Sequence, residues 1–175
     1  TSVGGGDSYQ GETSIGLENG SPFVWSVCTF SDPNQTNYGV YVQKFAKSNG
    51  ARQFTDQAKV VYAISSNRDT RAGEIAIIDD TPMFATYNTN YKIRATRLNG
   101  SGDFAWSPTS VELSSTTAGM GNPKGRYGFS AINGTRCSAF WTEDRGSGDF
   151  AYAQGVTIGG LIGLDVATQG SVPAS

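Results

Sequence analysis

The chain of 175 residues has a formal net charge of −2, its basic residues are scattered, and it contains no histidine. Scattered charge disfavours nucleic-acid binding, because neutralising phosphates requires a concentrated positive surface. The lack of histidine excludes serine–histidine and cysteine–histidine catalysis and the usual zinc ligand sets, so we expect no metal and no cofactor. No apolar run is long enough for a membrane-spanning helix.

Residues typical of strands and tight turns dominate the composition, with 23 glycines and few leucines or glutamates, which predicts an all-β fold. Asn-Gly pairs between apolar runs indicate hairpins, because both residues tolerate the positive φ of a type I′ turn. Six turn pairs form two alternating series, each recurring about every 55 residues. In chain order they are Asn19-Gly20, Asn49-Gly50, Asp79-Asp80, Asn99-Gly100, Asn133-Gly134 and Gly159-Gly160.

The strands between these turns recur as well. Each turn of the first series precedes an apolar run with an aromatic end, and we interpret Trp25, Tyr87 and Trp141 as equivalent core anchors. The next strand has a polar residue at its middle, in turn Gln43, Thr96 and Gln154. In two copies an aromatic residue follows a glycine by four positions, as Gly50 with Phe54 and Gly102 with Trp106. Each copy is therefore predicted to contain about four short strands, as one propeller blade does.

The predicted architecture is three four-stranded β-meander repeats in a propeller-like arrangement, with a β-sandwich or jelly roll as the alternative. Its segments are a flexible stretch 1–13, repeats 14–66, 67–120 and 121–164, and a tail 165–175. Three blades do not close a propeller, and unclosed terminal sheets expose apolar faces and strand edges. We therefore expect self-association, such as two chains giving six blades, or a fragment or processed product of a longer chain.

Two stretches resemble repeats of secreted and cell-surface bacterial proteins. Residues 17–20 (Leu-Glu-Asn-Gly) followed by 39–45 (Gly-Val-Tyr-Val-Gln-Lys-Phe) are similar to repeats that pair a Leu-x-Asp-Gly turn with a Tyr-Ala-Gln-Arg-Phe strand. Residues 141–149 leading into Tyr152-Ala153-Gln154 are similar to the Trp-x-Asp-x-Arg-Ser-Gly and Tyr-Ala-Gln signature of propeller-like repeats. The resemblance implies a propeller-like fold and an extracellular or cell-surface location, and it implies no reaction.

Adjacent carboxylates are the candidates for glycoside hydrolysis, which needs two carboxyl groups about 5 to 9.5 Å apart across a cleft. The pairs are Asp79 with Asp80 and Glu143 with Asp144. Neighbours on a strand point to opposite faces, and aspartate is common at turns for hydrogen-bonding reasons, so we interpret both pairs as turn or strand-end residues. We expect no catalytic residues and no enzyme activity.

Aromatic residues near loops are the candidates for a sugar-binding platform, namely Trp106, Phe54 and Tyr91. An aromatic residue that recurs at one repeat position is more often part of the core, so both interpretations stay open. Four sequons are potential glycosylation sites, at Asn19, Asn34, Asn99 and Asn133. We expect the two cysteines, Cys28 and Cys137, to be free thiols, because the aromatic alignment places them at different ends of equivalent strands.

Three hypotheses for function follow. The first is a non-catalytic extracellular module for binding, adhesion or surface assembly, with a glycan, a surface protein, further repeats or a second copy as its partner. The second is a structural subunit of a filament, fibre or capsid, whose exposed strand edges pair between chains. The third is a fragment of a carbohydrate-active enzyme.

Overall fold

The computed structural model describes residues 9–65, 71–87, 92–114, 125–144 and 149–163, and within these ranges the chain is all-β, as the composition predicts. These ranges contain no helix, and hence none with the length and hydropathy to cross a membrane. The strands are β1 (Tyr9–Leu17), β2 (Phe23–Ser31), β3 (Tyr38–Ala46), β4 (Lys59–Tyr62), β5 (Arg71–Ile78), β6 (Thr81–Tyr87), β7 (Ile93–Arg97), β8 (Val111–Glu112), β9 (Gly125–Asn133), β10 (Arg136–Asp144) and β11 (Asp149–Thr157).

The strands form three successive antiparallel meanders, which confirms the predicted repeat of small sheets. The first sheet has the order β1-β2-β3-β4, the second β5-β6-β7-β8, and the described part of the third β9-β10-β11. Strand β1 already begins at Tyr9, inside the segment 1–13 predicted to be flexible, because Tyr9 pairs with Ser31 of β2. The described residues do not form a closed ring of sheets.

The sheets pack on one another through the first strand of each meander, because β5 contacts β1 of the first sheet and β9 of the third sheet. The first core lies between the first and second sheets and the second core between the second and third. The first core includes Trp25, Val27, Val40, Val42, Phe84 and Leu98. The second core includes Met83, Ala85, Ile93, Cys137, Trp141 and Val156. The middle sheet is therefore covered on both faces, and β6 reads as an unbroken buried run from Pro82 to Thr86.

Apolar side chains are exposed on the two outward faces, as the open array predicts. Ile15 and Leu17 of β1 are 66% and 59% exposed, and Phe140 of β10 is 52% exposed. On β10 the residues on either side of Phe140 lie in the second core, so Phe140 points away from the middle sheet.

Strand register confirms one predicted correspondence and overturns another. Gln43 pairs with Ser26, Thr96 with Phe84 and Gln154 with Ala139, each at the same place in its meander. The proposed equivalence of the aromatic residues is wrong, because their strand partners occupy three different positions: Trp25 pairs with Lys44, Tyr87 with Ile93 and Trp141 with Tyr152. Trp25 lies in the first core and Trp141 in the second, where it faces back onto the preceding sheet.

The turns lie where the sequence predicts them, but the expected type I′ geometry of the Asn-Gly pairs is wrong. Among the described residues, the two-residue turn with positive φ at both positions is Asp79-Asp80, at 53° and 54°. In the second series the positive φ falls on the last residue of each turn: Gly50 (70°), Gly102 (77°) and Gly160 (82°). The asparagines act through their side chains; Asn99 Oδ1, for example, accepts hydrogen bonds from the backbone N–H groups of Ser101 and Asp103.

Both cysteines are free, as expected from the sequence, and they lie in different apolar clusters. Cys28 belongs to a third cluster with Phe30 and Tyr41 on the outward face of the first sheet, whereas Cys137 belongs to the second core. Burial raises the pKa of each thiol to about 12.

Candidate functional site

An open groove of about 430 Å³ lies at the edge of the first sheet, between the loop that follows β3 and the start of β4. It is lined by Gln53, Phe54, Thr55, Ala58, Lys59 and Val60. Phe54 is half-buried and provides the aromatic wall, and Val60 is 50% exposed beside it. One of the three candidate aromatic residues therefore does line a groove.

Gln43 holds the groove loop in place from the middle of β3. Its side-chain Oε1 accepts a hydrogen bond from the Phe54 N–H (3.0 Å), and its Nε2 donates to the Thr55 carbonyl (2.9 Å). The loop then turns back on itself, because the Ala58 N–H donates to the same carbonyl (2.9 Å) at a φ of 62°. The polar residue in mid-strand thus satisfies backbone groups of its own repeat and sets the position of the ring.

Charged side chains stand at the rim of the groove. Lys59 Nζ is 5.7 Å from the centroid of the Phe54 ring, donates to the Ser101 carbonyl (2.8 Å) and forms an ion pair with Asp103 (2.5 Å). Ser101 and Asp103 belong to the second sheet, so the contact joins two repeats at the groove. An exposed ion pair between Arg52 and Asp56 lies on the groove loop, with an N–O distance of 2.9 Å.

Phe54 also belongs to the contact between sheets. Its ring packs on Trp25 at 5.8 Å between centroids and lies against Gly102 of the second sheet, where an added Cβ would come within 2.9 Å of the ring. The ring therefore has one side in the first core and another at the groove. Phe54 therefore packs against the first core and lines the groove at the same time.

The other two candidates give different outcomes. Trp106 is half-buried and packs against the second core, and its Nε1 donates to the Ile158 carbonyl (2.8 Å). Tyr91 lies outside the described residues.

In the first carboxylate pair, Asp80 has a structural role. The Asp80 N–H donates to Glu18 Oε2 (2.7 Å), its carbonyl accepts from Trp25 Nε1 (3.3 Å), and its carboxylate accepts from the Ser21 hydroxyl. These contacts tie the β5–β6 turn to the first sheet, as the turn interpretation predicts, while Asp79 remains exposed.

In the second pair, Glu143 lies beside the end of β10, as the strand-end interpretation predicts, and its side chain is buried, with 1% of its surface exposed. Its Oε2 accepts a hydrogen bond from Trp141 Nε1 (3.0 Å), two residues earlier on the same face of β10. The side chain of Asp144 lies outside the described residues. The spacing of a tryptophan and a glutamate at i and i+2 on one strand was the signal for this buried hydrogen bond. Among the described residues, no group of three cysteine or carboxylate side chains is placed to hold a metal ion.

Comparison of the chain with known protein families finds no match, and comparison with curated proteins finds none. A solved structure with a similar fold is the endo-arabinase from Bacteroides thetaiotaomicron VPI-5482, with a TM-score of 0.52 over 87% of this chain and 12% sequence identity. The chain spans 57% of the length of that structure. At this identity the likeness concerns the fold alone.

Proposed function

We propose that this chain is a non-catalytic extracellular module of propeller-like repeats that binds carbohydrate in the groove beside Phe54. The observation that carries the proposal is an aromatic ring held at an open groove by Gln43, with polar and charged groups around it. A sugar ring presents an apolar face of C–H groups and a rim of hydroxyls. The half-exposed ring suits the first, and the Lys59 amine and Thr55 hydroxyl suit the second.

The similar fold of an endo-arabinase supports carbohydrate as the ligand class to test. The groove is shallow and open, so it accepts part of a chain and does not enclose a small molecule. The extracellular location rests on the resemblance to secreted repeats.

The test is calorimetric titration of the chain with arabino-oligosaccharides and with a panel of other oligosaccharides. The variant Phe54→Leu keeps an apolar side chain against Trp25 but removes the aromatic face, so we expect affinity to fall at least tenfold. The matched control is Phe140→Leu, which changes an exposed aromatic residue on the third sheet. A thermal melt of each variant reports folding. Absence of binding across the panel, or equal losses in both variants, would contradict the proposal.

A second candidate, part of a carbohydrate-active enzyme, is favoured by the same structural likeness. Its test is hydrolysis of chromogenic arabinosides and other glycosides by the chain. Activity that Glu143→Gln abolishes, in a variant that keeps its melting temperature, would replace the binding proposal with this one.

A further inference from the structure

Both contacts between sheets use a basic side chain at the same place in the meander. Lys44 on β3 donates from Nζ to the Gly100 carbonyl of the second sheet (3.3 Å). Arg97, at the equivalent place on β7, donates to the Ile158 carbonyl of the third sheet (3.1 Å). The equivalence follows from strand register, because Lys44 and Arg97 directly follow Gln43 and Thr96. Each cation thus reaches the turn after the third strand of the next sheet.

The same turns also receive an aromatic ring. Phe54 lies against Gly102, where a Cβ would be 2.9 Å from the ring, and Trp106 lies against Gly160, where a Cβ would be 3.4 Å from it. Both glycines have a positive φ, so the turn gives the ring a surface without a side chain. We call Lys44 with Phe54, and Arg97 with Trp106, cation–aromatic pairs, because both members of a pair contact the same turn of the next sheet; the Lys44 ammonium itself lies over the rings of Phe23 (4.0 Å) and Trp25 (5.0 Å). We call the turns 100–102 and 158–160 receiving turns.

The first sheet has a receiving turn of its own, at residues 48–50, and it is empty. Gly50 has a φ of 70°, and no described atom lies within 4 Å of where its Cβ would be. Ser48, Asn49 and Gly50 are all exposed.

The outward face of the first sheet, next to this turn, has no described neighbour, whereas the matching face of the second sheet packs on the first. Ile75 and Ile77 of β5 pack in the first core, beneath the first sheet, where Gly16 leaves room for them. By register their equivalents on β1 are Ile15 and Leu17, since Ile15 pairs with Ser26 as Ile75 pairs with Phe84. Ile15 and Leu17 are 66% and 59% exposed. On the first sheet, therefore, no described residue covers the turn or the apolar positions that the second sheet uses to receive its neighbour.

We propose that the turn 48–50, together with Ile15 and Leu17, is the docking surface for a further repeat that the described residues do not include. That repeat would present a lysine or arginine on its third strand and an aromatic ring nine or ten residues later. This inference concerns a different surface from the carbohydrate groove and stands without it.

A second copy of this chain does not meet that requirement. Its first two sheets already use their cation–aromatic pairs on their own neighbours. The third sheet has Gly155 at the position of the cation, and the sequence places Leu164 at the position of the aromatic residue. The contact therefore has a direction, and the partner must bring the pair.

One experiment measures the mass of the pure chain by sedimentation over a wide concentration range. We expect a monomer of 18.5 kDa, and we expect Ile15→Lys to leave both the mass and the melting temperature unchanged. The matched control is Ile75→Lys, which places a charge in the first core and should unfold the chain. A stable dimer of the unmodified chain that Ile15→Lys dissociates would show that a second copy covers this face, and would overturn the proposal.

A second experiment installs the missing pair on the third sheet with Gly155→Arg and Leu164→Trp. We expect this variant to assemble head to tail into multiples of 18.5 kDa, and we expect an added Gly50→Val to restore the monomer. Valine at positive φ is strained and places two methyl groups on the receiving turn. A folded variant that remains monomeric would overturn the proposal, and if the variant does not fold, the first experiment decides alone.

Discussion

The buried thiol of Cys137 makes the stability of this protein depend on pH above about 9. Burial in the second core raises its pKa to about 12, although the nearby Arg97 charge acts in the opposite direction. The unfolded thiol ionises near its ordinary value of 9.0. Between these values the unfolded state releases a proton that the folded state keeps, so the free energy of unfolding falls as the pH rises.

The expected loss follows from the size of the shift. One pKa unit corresponds to about 1.4 kcal/mol, so at pH 10.5 the Cys137 thiol has removed about 2 kcal/mol of the stability present at pH 7.5. The loss continues until the pH passes the folded pKa. Cys28, whose pKa burial also raises to about 12, contributes a similar and separate amount.

The assay is denaturant unfolding at pH 7.5 and pH 10.5, followed by tryptophan fluorescence. We compare the unmodified chain, Cys137→Ala, and the control Val156→Ala, which removes apolar volume from the residue paired with Cys137. Lysine and tyrosine titration is common to all three proteins and cancels. The unmodified chain and Val156→Ala should lose about 2 kcal/mol more than Cys137→Ala between the two pH values. Equal losses in all three would refute the reasoning.

Two further predictions concern the first sheet. Gly39→Ala should lower the free energy of unfolding by about 2 kcal/mol, because its Cβ would lie 2.6 Å from the Tyr62 carbonyl oxygen. The control is Gly20→Ala, whose Cβ would have no described atom within 4 Å. Thermal melts should show an almost unchanged melting temperature for this control. Partial desolvation raises the pKa of Asp32, but hydrogen bonds from Thr36 and Asn37 outweigh it and lower that pKa. The carboxylate should therefore stabilise the loop 32–37 above its ordinary pKa of 3.8, and this stabilisation should be lost as the pH falls through the lower folded pKa. The amide NMR signals of the loop should shift in that pH range. In Asp32→Asn the same signals should stay unchanged.

The repeat of small sheets could be predicted because turn chemistry is local. The Asn99 side chain accepts hydrogen bonds from the N–H groups of Ser101 and Asp103. Each turn of the second series has a glycine with positive φ, namely Gly50, Gly102 and Gly160. These requirements leave a period in the sequence whatever the sheets pack against.

The register of the second strands could not be predicted from the aromatic residues. The first sheet has its core on the face toward the next sheet, and the third sheet has its core on the face toward the preceding sheet, so a buried aromatic residue does not reveal which face it belongs to. Trp25 faces forward to the next sheet and Trp141 faces back to the preceding one. The polar residues Gln43 and Gln154 were better guides, because a buried amide needs fixed hydrogen-bond partners.

The candidate site was predictable only in part. The recurrence of an aromatic residue four positions after a glycine pointed to Phe54, but the groove also depends on Lys59, whose partners are Ser101 and Asp103. Those partners lie more than forty residues along the chain, and their approach depends on how two sheets stack. Neither spacing nor composition carries that information.

The direction of the contacts between sheets has a consequence for how such modules evolve. A repeat that owns a cation–aromatic pair can be inserted before any receiving turn, and the sheet behind it needs no compensating change. The third sheet has Gly155 in place of the cation, so it has no such pair with which to contact a repeat that follows it. Adding a repeat by duplication therefore requires fewer changes before the first sheet than after the third.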